Sequence, residues 1–122
     1  MILTLMFEGQ SLGFVEFWPR TGGAPNGSLR PNANYQAARP AIQSVTSDLP
    51  QEPEQIRDHV RARLAALYAR GLGLYTPAGK LMPTSTLVVG DAAPLEYDLA
   101  DFPDWRVPVS AEFVTPPDFG ST

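Results

Sequence analysis

Apolar and polar positions alternate near the start and end of the chain, and a longer period takes over in the middle. In residues 2–7, Ile-Leu-Thr-Leu-Met-Phe, Leu3, Leu5 and Phe7 fall on one side of an extended segment. Ile2, Thr4 and Met6 fall on the other. Residues 13–18, Gly-Phe-Val-Glu-Phe-Trp, read as a second strand. The short stretch Glu8-Gly9-Gln10-Ser11-Leu12 between them predicts an antiparallel hairpin. Both of its faces carry apolar side chains, so cover is expected on both, from a helix on one side and a partner on the other.

The period changes after Pro53, a residue suited to the first turn of a helix, with Glu52 and Glu54 beside the positive helix end. Ile56, Val60, Leu64 and Leu67 recur at spacings of four, four and three, and Tyr68 widens the stripe. Arg57 and Arg61 lie together on the opposite side. Gly71 is a natural stop. The spacing predicts a helix over about 53–70. Beyond it, Leu72–Tyr75 and Leu81-Met82 flank a small turn, and Thr86–Val89 is a β-branched strand closed by Gly90. Leu95–Leu99 is a weaker strand candidate. Arg106–Val114 alternates again, and Pro108 there removes a ladder donor, which points to a sheet edge.

Residues 19–40 break the pattern. Gly22-Gly23, Pro25-Asn26-Gly27, Pro31-Asn32 and Asn34 are turn formers, and a stretch of that length without periodicity reads as an arm. Ala41–Thr46 fits a short strand after it. Pro116-Pro117-Asp118-Phe119 closes the chain in a stiff tail over 115–122. These elements predict one domain over 1–122 of α+β class: a small antiparallel sheet of four to six strands with one packed helix. A β-sandwich with a single helix is the alternative.

Composition narrows the chemistry. Cys is absent from the 122 residues, which excludes disulfides, thiolate catalysis, zinc ribbons and iron–sulfur clusters. Charged residues make up 18%, low for a domain with a fully solvated surface, and favour standing contact with something else. The net charge of −4 is unevenly spread. Residues 19–47 carry Arg20, Arg30 and Arg39 and no acid, whereas residues 91–122 carry seven acids against Arg106. Opposed regions of this kind can meet within one molecule or between neighbours. The basic residues are too few for a nucleic-acid footprint. Met1–Phe7 lacks a basic region and meets Glu8 at once, so neither a targeting signal nor a membrane span is read, and a cytoplasmic setting is the default.

Candidate reactive groups are sparse. His59 is the lone histidine, with Asp58 before it, and no Gly-x-Ser-x-Gly motif supplies a nucleophile. Asp98, Asp101 and Asp104 recur every third residue without the pattern of a calcium loop, leaving a loose Mg²⁺ or Ca²⁺ site as one reading and a solvated acidic turn as the other. Gly22–Gly27 lacks the Lys-Ser/Thr of a phosphate loop, and the Gly-x-x-x-Gly-x-Val-x-Phe opening over Gly9–Phe17 is too common to assign a family. Aromatic and arginine side chains next to Pro-rich segments mark contact surfaces. On that basis the interface residues are Trp18, Arg20, Arg30, Tyr35, Arg39, Phe102, Trp105 and Phe119. The expected function is non-enzymatic: a structural or assembly subunit that acts through protein–protein contacts with a partner or with itself, in the manner of virion-like or secretion-type particles whose arms lie on neighbours. No catalytic residue, metal or cofactor is assigned. The alternatives are a small ligand- or divalent-metal-binding domain or hydrolase using His59 and the three aspartates, and an acidic inhibitor that blocks a basic site.

Overall fold

The computed structural model describes residues 1–18 and 25–115. In chain order they form β1 (Ile2–Phe7), β2 (Gln10–Trp18), β3 (Asn26–Pro31), α1 (Tyr35–Ser44), α2 (Pro53–Ala69), β4 (Gly73–Tyr75), β5 (Leu81–Met82), β6 (Thr84–Val89) and β7 (Val107–Phe113). The class is α+β, with more of both structures than the sequence pattern suggests. The strands make a seven-stranded sheet in the order β5-β4-β1-β2-β3-β7-β6, every pairing antiparallel.

The opening hairpin is tighter than expected. Phe7 pairs with Gln10, so the loop is Glu8-Gly9 alone, and both residues take positive φ as a two-residue primed turn demands. The ladder then slips: Leu5 faces Gly13 while Met6 faces Ser11, leaving Leu12 as the extra residue of a bulge. Gly13 follows with φ 139°, and a Cβ there would run into the Arg30 carbonyl of β3. The bulge turns Leu12 inward and lets β2 bend over the core. Asn32 and Asn34 both donate side-chain hydrogen bonds to the Ser11 carbonyl at 2.9 and 3.1 Å, which ties the β3–α1 turn to this point.

α2 follows its predicted stripe. Pro53 stands in the first turn, Leu64 and Leu67 are buried, and Val60 and Tyr68 pack at the margin. Its end is a Schellman motif: Gly71 at φ 91° donates to Tyr68, and Leu72 donates to Leu67. The Arg70 guanidinium covers the Phe7 ring at 4.8 Å and bonds Glu8 at 2.7 Å, fastening the helix end to the hairpin. The core lies between one face of the sheet (Leu3, Leu5, Val15, Leu29, Leu87, Val109) and the inward stripes of both helices.

Several expectations need correction. From residue 25 on, the expected arm is built into the domain, as an interior strand and as the helix α1; residues 19–24 lie outside the described residues. Ala41–Thr46, expected as a strand, falls largely in that helix. Tyr35, Ala38, Arg39 and Ile42 form its buried stripe, with spacings of three, one and three. Leu95–Leu99 is irregular and leads into a 3₁₀ turn at Leu99–Asp101. Pro108 is not at an edge, because β7 runs between β3 and β6. It is tolerated because its carbonyl accepts from Gly90, just past the last β6 pair, so its missing N–H faces the place where β6 ends. Of the expected tail, 116–122 lie outside the described residues.

Candidate interaction surface

Two polar features stand out, one buried and one exposed. The buried one is centred on Arg39, whose side chain is wholly out of solvent. Its Nε donates to Asp91 Oδ2 at 2.9 Å, and Nη2 donates to Asp91 Oδ1 at 3.2 Å and to the Ala93 carbonyl at 2.9 Å. Nη1 donates to the Tyr97 carbonyl at 2.7 Å. Asp91 also accepts from the Tyr35 hydroxyl at 2.8 Å, Gln43 Nε2 at 3.0 Å and the Ala93 amide at 3.1 Å. Gln36 extends the contact by donating to the Tyr97 carbonyl at 2.9 Å and accepting from the Leu99 amide at 3.2 Å.

Burial and the Asp91 hydrogen bond push the Tyr35 phenol well above its ordinary range. At Asp91 burial acts upward, but the hydrogen bonds from Arg39, Tyr35, Ala93 and Gln43 outweigh it and hold the carboxyl below its usual value. Among the described residues, no buried side-chain nitrogen or oxygen lacks a partner. The cluster ties α1 to residues 91–99, a segment with almost no backbone ladder of its own.

The exposed feature is the sheet face opposite the core. Cross-strand pairing sets its side chains in rows. One row is Ile2, Glu16, Ser28 and Pro108; another is Trp18, Asn26, Ser110 and Val88. A third runs Thr4, Phe14 and Arg30, and Arg106, one residue past the last β3–β7 pair at Leu29–Val107, stands where the register would set it opposite Arg30. Ile2, Phe14 and Trp18 are 53, 58 and 47% exposed. Two grooves cut this face, of about 510 and 500 Å³, and Ser28 and Arg106 line both. Among the described residues Arg30 and Arg106 form no ion pair. A further groove along the β6 edge is bordered by Arg57, Arg61, Thr86, Ser110 and Glu112.

The segment between β6 and β7 carries an aromatic run. Tyr97 and Phe102 rings lie 6.3 Å apart, and Phe102 and Trp105 rings 5.7 Å apart. Leu95, Tyr97 and Phe102 are all substantially exposed, among the acids Glu96, Asp98, Asp101 and Asp104. Arg106 Nη1 donates to the Pro103 and Trp105 carbonyls at 3.2 and 2.9 Å, which makes the loop continuous with the third row.

The structure sorts the residues singled out by sequence. Trp18, Arg30 and Phe102 are exposed, and Trp105 is half-buried between the loop and the core. Tyr35 and Arg39 are not surface residues; they form the buried clamp, because their helix packs inward where an arm was expected. Arg20 and Phe119 lie outside the described residues. His59 is half-buried, with Nε2 at 3.2 Å from the Ser47 carbonyl in the α1–α2 connection. Among the described residues no group of three or more His, Asp or Glu side chains, Asp98, Asp101 and Asp104 included, is placed to hold a metal ion. No helix among them is long and apolar enough to cross a membrane. Sequence reasoning overlooked Ile2, Phe14 and Arg106 as surface residues, although the alternation that buries Leu3 and Val15 already sends Ile2 and Phe14 the other way. No protein-family model matches the chain, and no curated protein or solved structure shows significant similarity to it.

Proposed function

We propose that the chain is a non-enzymatic structural or assembly subunit that works through protein–protein contact at the open face of its sheet. The observation that carries this reading is the exposure of Ile2, Phe14 and Trp18 on one face, beside Arg30 and Arg106, which lack carboxylate partners among the described residues. Scattered apolar side chains are ordinary on a surface; large ones gathered on one face of a sheet and flanked by arginine have the make-up of an interface centre. Covering Phe14 or Trp18 fully is worth about 1.5–3 kcal/mol each by the area they would remove from water. Such a term contributes to association, and the rest of a complementary surface must offset the translational and rotational freedom lost.

The test is the size of the particle that contains the chain in its source cells. Native separation of an extract is expected to place it well above 13.2 kDa. Phe14→Asp and Trp18→Asp, in which only exposed side chains change, are expected to shift it to smaller fractions with an unaltered melting temperature. A wild-type chain found at monomer size in the extract overturns the reading.

A further inference from the structure

We infer that the occupant of the open face is a second copy of this chain, joined reciprocally about a twofold axis, with the loop 95–105 of each copy seated on the Phe14–Arg30–Arg106 row of the other. This rests on the assembly reading above and names its partner. Three observations carry it. The first is charge: Arg30 and Arg106 stand side by side without an ion pair among the described residues, and the exposed carboxylates of Asp101 and Asp104 have none either. Patches of opposite sign left unpaired on one copy can be matched by the same patches on a second.

The second is shape and polarity. Exposed Phe14, Ile2 and Trp18 border grooves of about 500 and 510 Å³, and the loop projects exposed Leu95, Tyr97 and Phe102. Exposed apolar side chains thus occur on both halves of the contact, and the grooves lie on the sheet half. The third is continuity. The Arg106 guanidinium bonds the loop's own carbonyls at Pro103 and Trp105, so the acidic loop runs directly into the end of the basic row. When a surface carries both complementary halves next to each other, placing one copy's loop on the other's row brings the reverse pair into reach, which is the condition for a closed twofold dimer.

The experiment uses the purified full chain in light scattering and sedimentation from 1 to 100 µM at low salt. A species of twice 13.2 kDa is expected. Arg30→Glu and Asp101→Arg, tested singly, are each expected to weaken the dimer at least tenfold, and combining them in one chain restores it. Circular dichroism and melting of each variant confirm that it is folded; for any variant that is not, Phe102→Ala and Phe14→Ser are substituted, each expected to weaken the dimer. A monomer at every concentration overturns the inference. So does a dimer indifferent to both charge reversals, and so does an open-ended series of larger species. A purified monomer that enters large particles only in the cell extract overturns the second copy as partner while leaving the assembly reading standing; a monomer in both settings removes the two together.

Discussion

Arg39 shows how much one side chain can decide. A guanidinium buried without partners would be intolerable, and here it has carboxylate and carbonyl acceptors from four residues between 91 and 97. Arg39→Ala leaves the Asp91 carboxylate buried without its cation, and chemical denaturation is expected to show a loss of about 3–5 kcal/mol. Asp91→Leu alone is expected to cost a similar amount, and the Arg39→Met, Asp91→Leu pair markedly less than the sum, since neither charge is then stranded. Gly13 carries a different kind of necessity. Its φ of 139° and the Arg30 carbonyl beside it leave no space for a Cβ. Gly13→Ala is expected to lower stability by on the order of 1–3 kcal/mol in the same assay. Gly9, whose Cβ would meet nothing, accepts Asn in its primed turn with a far smaller effect.

At the scale of elements, α1 and residues 91–99 form one unit held by side chains. The Asp91 carboxyl is held below its ordinary value of 3.8 in the folded chain, so on acidification the unfolded chain takes up the proton first. The stability contributed by this group is therefore full above about pH 4 and is lost as pH falls toward the folded-state value. Melting temperatures measured from pH 7 to pH 2 are expected to show the gap between wild type and Asp91→Asn narrowing below pH 4. The elements also show what the sequence could disclose. α2 was legible because Ile56, Val60, Leu64 and Leu67 are unbroken apolar signals with a Pro before and a Gly after. The β1–β2 hairpin was legible through its period of two. α1 was not, because Pro40 interrupts it, two Asn residues precede it, and its buried stripe contains an arginine. The stripe makes sense only once Asp91 is brought beside it, and no local pattern announces a partner 52 positions away. The open face was half legible: hairpin parity puts Phe14 and Trp18 together, but the approach of Arg30 and Arg106 depends on β3 pairing with β7.

At the scale of the whole molecule, one sheet face supports the fold and the opposite one is exposed and is the proposed contact surface. The two roles are separable. Phe14→Asp is expected to change the melting temperature of the monomer by less than about 2 °C, because an exposed substitution usually alters stability by no more than 0.5 kcal/mol, while altering the mass distribution of the native particle. Leu5→Ala, on the buried side of the adjacent strand, is expected to do the reverse: to cost about 2–5 kcal/mol in unfolding experiments with no surface change. The Arg39–Asp91 pair also has a bearing on how the chain is made. On a ribosome working at about 5–20 residues per second, a gap of 52 residues leaves the nascent arginine some 3–10 s without its counterion. Through that interval its helix stays hydrated and undocked, so the hairpin and α2 are synthesised before α1 can lock. Docking of α1 then waits on Asp91, and the sheet closes later still, when β7 takes its place between β3 and β6.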